Sequence, residues 1–326
     1  MKRFLISLLI SGILLYFAFR GVDWSTFKEG FARIGYVYLL LVIPLLLLVQ
    51  WMRSYRWGLI LRPLKKIDQG TLFSITSVGF MGILLLPARA GELLRPYLIS
   101  QQKGVDIRSA LATVVVERAL DSLTILGFLV WTVLSIPLPL WVHRAGYFSF
   151  AILFSFLLFL FLVATQKERV LNFFRILTRR FPEWLQSGIQ TFVTTFAEGL
   201  QILPDLKSLG LAVSLSLIVW ALMGLNFYIL LQAFHMRLPL IAAYVVLVLI
   251  VIGITIPGAP GFIGNYHLSC VLGLSLFGIP RSEAFSYAIV NHLIVVLFTV
   301  ALGIIFLPRV KISWSVIFKK RGGSGF

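Results

Sequence analysis

The sequence predicts an all-α polytopic membrane protein, with six spanning helices and two re-entrant helical hairpins in an inverted repeat. Three observations lead there. Of the 326 residues, 59% are hydrophobic and only 13% charged, with a mean hydropathy of +0.97. A soluble domain carries about 25% charged residues, and a chain this apolar cannot cover its own surface in water. The apolar runs are long and continuous rather than alternating, so helices and not barrel strands satisfy the backbone in hydrocarbon. Two of these runs are interrupted by Pro/Gly clusters, which leave arms too short to cross a bilayer.

Taken in order, a first helix covers about Phe4 to Phe19 and a second about Tyr36 to Met52. Met1-Lys2-Arg3 before an apolar run resembles a signal peptide, but no small-residue cleavage site precedes Arg20, so a retained helix is expected. The run from Leu72 to Leu86 breaks at Pro87 and resumes from Gly91 to Gln101. Each arm falls short of the roughly 20 residues that span about 30 Å of hydrocarbon. Irregular backbone at membrane depth is tolerated only against protein or water.

A long helix follows from about Ser109 to Ile136, then one from about Gly146 to Thr165. Between Gln166 and Leu203, basic residues such as Arg175, Arg179 and Arg180 alternate with Phe173, Phe174, Ile176 and Leu177, the pattern of amphipathic helices on a membrane surface. A spanning helix is expected from Leu206 to Phe234. The run Leu240 to Ile256 is broken by Pro257-Gly258-Ala259-Pro260-Gly261 and resumes to Phe277, and the last helix covers Glu283 to Leu307. The segment 322–326 reads as an added linker, leaving residues 1–321 as a single transmembrane domain.

Charge sets the orientation. Arg53, Arg56, Arg62, Lys65, Lys66, Lys103 and Arg108 flank the first hairpin. Lys167, Arg169, Arg175, Arg179, Arg180 and Lys207 flank the amphipathic segment, and Arg309, Lys311, Lys319, Lys320 and Arg321 close the chain. With six spans and two hairpins that do not cross, all of these fall on the cytoplasmic side. Both termini are then cytoplasmic, in a bacterial or archaeal inner membrane. The net charge of +17 is accounted for by these loops and by anionic lipid rather than by nucleic acid.

The two broken runs resemble each other. Pro87 and Gly91 match Pro257 and Gly261 in spacing, and Ala110 to Glu117 matches Ala284 to Asn291. Repeat A covers about 36–136 and repeat B about 206–307. Three spans separate the hairpins, so they enter from opposite faces, as in carriers whose site lies where the broken helices meet.

Arg89, Glu92, Arg95, Glu117, Arg118 and Asp121 all fall in apolar surroundings. Each costs about 2.5–3.5 kcal/mol at a helix centre, so six together demand pairing or a water-filled cavity. Glu117 and Asp121 share a helix face, about 12 Å and about 18 Å into their helix. A structural ion-pair network, for example Arg118 with Glu92, is one reading of the set. The other is an anion site, because guanidinium suits phosphate and a helix restarting at Gly91 presents free N–H groups. His267 and His292 are titratable near neutral pH and, with Glu92 and Glu117, are candidates for proton coupling. Packing explains a lone helical histidine equally well. Cys270, the one cysteine, excludes a disulfide framework. No ligand spacing for a metal, no glycine-rich nucleotide loop and no nucleophile elbow is found, so no metal or cofactor is expected.

Pro87-Ala88-Arg89-Ala90-Gly91-Glu92-Leu93-Leu94-Arg95, then Glu117-Arg118-Ala119-Leu120-Asp121, then Pro257 to Gly264, resemble the flippase-like transmembrane domain of bacterial lysylphosphatidylglycerol synthase. The resemblance covers nearly the whole chain. It implies translocation of a lipid with a charged headgroup, with Arg89, Glu92, Arg95, Glu117, Arg118 and Asp121 lining the site; Asn291, the match of Glu117 across the repeat, is a further candidate. The hairpin breaks would be Pro87, Gly91, Pro257, Gly258, Pro260, Gly261 and Gly264. There are two departures. No aminoacyl-transferase domain follows the last helix, so lipid aminoacylation is not expected. The family's Pro-Gly-Gly-x-Gly-x-x-Glu has Phe262 and His267 here in place of its second Gly and its Glu.

The expected function is a carrier moving a phosphate-bearing lipid, whether anionic, aminoacylated or polyprenyl-linked, between leaflets. A membrane lipid phosphatase using Arg89, Arg95 and His267, and a non-transporting partner of a lipid synthase, are the alternatives. A homo-oligomer and a separate lipid-modifying synthase are the expected protein partners.

Overall fold

The computed structural model describes residues 2–25, 29, 34–86, 91–136, 140–179, 182–203, 205–256 and 258–310, with only the backbone at 2–8, 141–143, 145, 149, 174 and 183–185. The regular secondary structure among the described residues is all helical. In order run α1 (Lys2–Phe19), α2 (Val37–Leu61), α3 (Gln69–Leu85), α4 (Leu94–Lys103), α5 (Ile107–Ser135), α6 (Leu140–Thr165), α7 (Lys167–Thr178), α8 (Glu183–Gly199), α9 (Leu206–Ala233), α10 (Leu240–Gly253), α11 (Asn265–Ser275) and α12 (Arg281–Phe306).

Among the described residues, four segments are long and apolar enough to cross a membrane: Val37–Leu61, Gly146–Thr165, Leu206–Ala233 and Arg281–Val310. At 29 residues α5 is also long, about 44 Å, but it carries Glu117, Arg118 and Asp121 in its first half. Large apolar side chains such as Leu134, Tyr147, Phe148, Phe154 and Ile305 face outward. A continuous apolar exterior of this kind needs lipid rather than water around it.

One expected boundary is wrong in an informative way. The second helix does not stop at Met52 but continues to Leu61 through Arg53 and Arg56. Arg56 is fully buried and is not a loop residue. Hydropathy ends a membrane helix at its first charges, whereas here the charge is neutralised within the protein. Smaller shifts occur elsewhere. After a 3-10 turn at 91–93, the α-helix restarts at Leu94 rather than Gly91, and α6 begins at Leu140 rather than Gly146.

The amphipathic stretch forms α7 and α8. The apolar side of α8 is packed against α5 rather than lying free: Ala197, Leu200 and Ile202 join Ala112 and Val116 in one buried cluster. Ser109 Oγ donates to the Thr195 carbonyl at 2.9 Å. On α7, Phe173, Ile176 and Leu177 stay exposed beside Arg169, Arg175 and Arg179, a face that suits an anionic membrane surface.

Both broken runs turn back toward their starting end. Asp68 caps α3 through the Thr71 N–H at 2.8 Å, and Lys103 at the end of α4 bridges to the same carboxylate at 3.1 Å. The Lys103 carbonyl accepts from Lys65 at 2.7 Å. The outer ends of α3 and α4 are therefore neighbours. Inside the turn, Gly91 lies directly on the backbone of Gly82 and Ile83, where any Cβ would overlap.

In the second run, the 3-10 turn Pro260–Phe262 forms the tip, with positive φ at Gly261 (72°), Phe262 (58°) and Gly264 (90°). The Ala259 N–H donates to Ser11 Oγ at 2.6 Å, and Gly264 abuts the Ser11 backbone. Arg281, just beyond the second run, donates to the Arg20 carbonyl at 3.1 Å. Ser11 lies about 13 Å along α1 from Arg20, so the tip stops part-way along that helix.

The packing crosses between halves. α2 lies along α9, α3 along α12, and α10 against α5, while α11 packs on α1. The largest buried cluster joins α2, α9, α10, α11 and α12 around Phe227, Tyr244, Val246, Cys270 and Tyr287.

In a Cys270→Ala background, cysteines at Gly70 and Gln101 are expected to react with an impermeant maleimide from the same side of sealed membranes. Reaction from opposite sides would mean that 69–103 crosses the bilayer. Asp68 gives a second check. The Thr71 amide, then its hydroxyl and Lys103, hold the Asp68 carboxyl down to about 2. The stability it lends is therefore complete above the unfolded value of about 3.9 and fades as pH falls toward the folded one. Asp68→Ala is expected to cost about 1 kcal/mol in detergent unfolding at pH 7. That cost should narrow as the pH is lowered below 4.

Candidate functional site

The first break lies beside a set of buried charges supplied by three helices. α5 contributes Glu117, Arg118 and Asp121, with Glu117 and Asp121 one turn apart on the same face. Arg95 comes from the first turn of α4, and Arg53, Arg56 and Trp57 from the last turns of α2. Gly79 on α3 makes room for Arg95, since a Cβ there would occupy the space of the arginine's methylenes.

Glu117 is the centre of the set. Arg95 holds it with two parallel bonds, Nη1 to Oε1 at 3.0 Å and Nη2 to Oε2 at 2.8 Å. Arg118 Nη2 donates to Oε1 at 2.7 Å, and Arg56 Nη2 lies 3.3 Å from the same oxygen. Arg56 Nη1 donates to Asp121 Oδ1 and to Ser216 Oγ, both at 2.6 Å. Trp220 Nε1 also donates to Asp121, at 2.9 Å. The Arg95 guanidinium sits over the Trp57 ring at 4.2 Å, and the Trp57 N–H is fixed by Thr113 Oγ1 at 3.1 Å.

The arginines differ in access. The Arg56 and Glu117 side chains are 0% exposed and Arg95 is 1% exposed, whereas Arg118 is 36% exposed. Phe80 on α3 is faced by three guanidiniums, Arg53 at 4.9 Å, Arg95 at 5.7 Å and Arg118 at 5.9 Å. Among the described residues Arg53 has no carboxylate within ion-pair distance. Glu92, half-buried, acts electrostatically on Arg118. Four arginines thus surround two buried carboxylates, with Glu92 a third at the edge, and positive charge is in excess.

The predicted site residues divide into two groups. Arg95, Glu117, Arg118 and Asp121 come together, with Glu92 beside them. Pro87, Arg89 and Pro257 lie outside the described residues. His267 on α11 and His292 and Asn291 on α12 gather around the second break instead. Gly264 N–H donates to His267 Nδ1 at 3.4 Å, and His292 Nε2 meets the Gly261 carbonyl at 2.7 Å. The two imidazoles lie edge to face at 4.9 Å, and Tyr266 stacks on His292 at 4.5 Å. Asn291 Nδ2 donates to the Tyr287 hydroxyl at 3.2 Å, which donates to the Phe227 carbonyl at 2.9 Å.

Sequence reasoning missed Arg53, Arg56, Trp57, Ser216 and Trp220. The signal for the first three was present: Arg53, Arg56 and Trp57 are spaced i, i+3 and i+4 and continue the face of an apolar helix. Ser216 and Trp220, one turn apart on a spanning helix, carry no comparable mark.

Breaking a buried pair strands its partner and costs about 3–5 kcal/mol, and the cost is smaller where water reaches one partner. Arg56→Ala is therefore expected to lower the detergent unfolding temperature severely and Arg118→Ala by less. Equal losses would show that the two arginines have the same structural role.

The family described as the lysylphosphatidylglycerol synthase TM region matches residues 4–303. A UPF0104 membrane protein of Methanothermobacter thermautotrophicus is 25% identical over 297 residues, 86% of this chain and 88% of the relative. A second UPF0104 membrane protein of that organism is 24% identical over 268 residues, 78% of each chain. The glycosyltransferase AglD of Haloferax volcanii is 36% identical over 81 residues, 24% of this chain and 13% of its own. No solved structure matches. A match of this extent, over an all-helical chain with an apolar exterior, identifies the protein as a lipid-related membrane protein that belongs to the family of the lysylphosphatidylglycerol synthase TM region.

Proposed function

We propose that the protein carries a phosphate-bearing lipid between the leaflets of a bacterial or archaeal cytoplasmic membrane, without chemistry on the lipid. The observation that supports this most is the excess of arginine beside the first break. Arg53 and Arg118 are partly exposed and both face the Phe80 ring, and Arg53 has no carboxylate partner among the described residues. Guanidinium forks match phosphate oxygens; Arg56 and Arg95 are sealed against Glu117 and Asp121, whereas Arg118, bonded to the same carboxylates, keeps 36% of its side chain exposed. The phosphate would meet Arg53 and Arg118, with Arg89 a further candidate.

The membrane arrangement we infer is six spans with re-entrant hairpins at α3–α4 and α10–α11, as an inverted repeat with both termini cytoplasmic. The neighbouring outer ends of α3 and α4 support it, as does the second tip halfway along α1. So does the exchange of partners, in which each hairpin's first arm lies on the other half's last helix. A two-fold axis in the membrane plane produces that pattern. Proton coupling, if transport is directional, would act through Glu92, Glu117, His267 or His292. The phosphatase alternative has less support, because Arg95 is engaged by Glu117 and Trp57 while His267 contacts Gly264, Tyr266 and His292.

In vesicles with fluorescent phosphatidylglycerol, purified protein is expected to accelerate leaflet exchange. Arg118→Ala should slow it by about tenfold, the equivalent of one hydrogen bond to a charged group, at equal amounts of folded protein. Unchanged exchange in this variant would remove the proposed anion site. Release of phosphate or of the headgroup would favour an enzyme.

A further inference from the structure

We propose that the second half of the protein holds an uncharged headgroup subsite, formed by Asn226, Asn265 and Asn291, which recognises hydroxyl groups of the lipid whose phosphate the arginines hold. The proposal rests on the carrier reading above and adds to it the class of headgroup.

Position is the first observation. Arg56 precedes Pro87 by the same number of residues as Asn226 precedes Pro257. Arg95 follows Pro87 as Asn265 follows Pro257, and Glu117 follows Ala110 as Asn291 follows Ala284. The three side chains that meet in the first half, Arg56, Arg95 and Glu117, thus each have an asparagine in the second. Equivalent helices supply them: α2 and α9, α4 and α11, α5 and α12.

The second observation is hydrogen bonding. Asn226, Asn265 and Asn291 are 1%, 2% and 0% exposed. Both amide atoms of Asn226, and Oδ1 of Asn265 and of Asn291, have no partner among the described residues, and neither does the Tyr266 hydroxyl. A buried amide left unpaired costs about 1–3 kcal/mol, and such groups are few in native proteins. Here they recur at the positions equivalent to the buried charges of the first half. Asn291 bonds Tyr287, which bonds the Phe227 carbonyl next to Asn226, while Tyr266, next to Asn265, stacks on His292, next to Asn291.

Chemistry selects the ligand. A phosphate needs donors alone and an ammonium or metal cation needs acceptors alone. Asn226 offers both a donor and an acceptor, and so does the Tyr266 hydroxyl. A hydroxyl group also gives one and takes others, so it satisfies both. A cation is further disfavoured by the arginine excess of the other half. The tip of the second hairpin packs against α3, the helix that carries Phe80, so the two groups border a common element. One phosphodiester headgroup with hydroxyls beyond its phosphate can address both.

The test compares lipids of equal charge. Thermal stabilisation of the detergent-solubilised protein is measured with phosphatidylglycerol and with phosphatidylpropanol, which lacks the glycerol hydroxyls. A second pair is a glycosyl polyprenyl phosphate and the corresponding methyl polyprenyl phosphate. In at least one pair the hydroxylated member is expected to bind about tenfold more tightly or better, since a site built for a hydroxyl rejects its deletion strongly. The pair that shows the preference tells glycerol from sugar. Asn226→Leu and Asn291→Leu should bring the ratio toward one, whereas Arg118→Ala should weaken both members together. Equal affinity within both pairs for the wild-type protein overturns the hydroxyl subsite and leaves the carrier reading standing. Binding of none of the four lipids overturns both. The wild-type ratios decide even where a variant does not fold.

Discussion

A carboxylate buried inside a helical membrane protein must be neutralised in place, and the first half of this chain is organised around meeting that need for Glu117. Its two oxygens take guanidinium groups from α2, α4 and α5. Leaving any one of these charges alone in hydrocarbon would be costly, so the three helices are held to one another at a fixed depth. The need reaches further out. Arg95 can arrive only because the helix before it has stopped at the right level and because Gly79 leaves a channel for its side chain. Trp57 covers the face of that guanidinium and is itself oriented by Thr113.

The second half of the chain coheres differently. Asparagines replace the charges, and the largest apolar cluster replaces the ion pairs as the main contact between helices. Its turn is stitched by Asn265, whose amide donates to the carbonyls of Gly253 and Ile256 at 3.1 and 2.8 Å. Those carbonyls belong to the end of α10 and the residues just beyond it, where the helix leaves carbonyls without their usual i+4 donors. Ser11 serves the other side of the same turn, so α1, which lies outside both repeats, acts as the support of the second hairpin.

Much of this was legible in the sequence because the signals were local. The stops of α3 at Leu85 and of α10 at Gly253 and the ends of α5, α9 and α12 follow from where apolar runs and turn residues lie. The pairing of Glu117 with arginine was foreseeable, since a charge at that depth requires it. The end of α2 was misjudged because its continuation depends on partners far away: Arg56 is tolerated in a helix only through Asp121, Glu117 and Ser216. The contact of α1 with the second turn was hidden for a similar reason, because Ser11 looks like any small polar residue in a spanning helix. The packing of α8 on α5 was likewise invisible, since an amphipathic face reads the same whether lipid or protein covers it.

The approach of Gly91 to Gly82 and Ile83 bears on how the protein can move. No side chain lies between the two arms at that point, so they cannot slide or part without opening a backbone contact that has nothing to fill it. The outer ends of the same two helices are tied by Asp68, Lys103 and Lys65. Arg95 sits on α4 and Glu117 on α5, so any displacement of one helix against the other has to stretch or break the bidentate bridge between them.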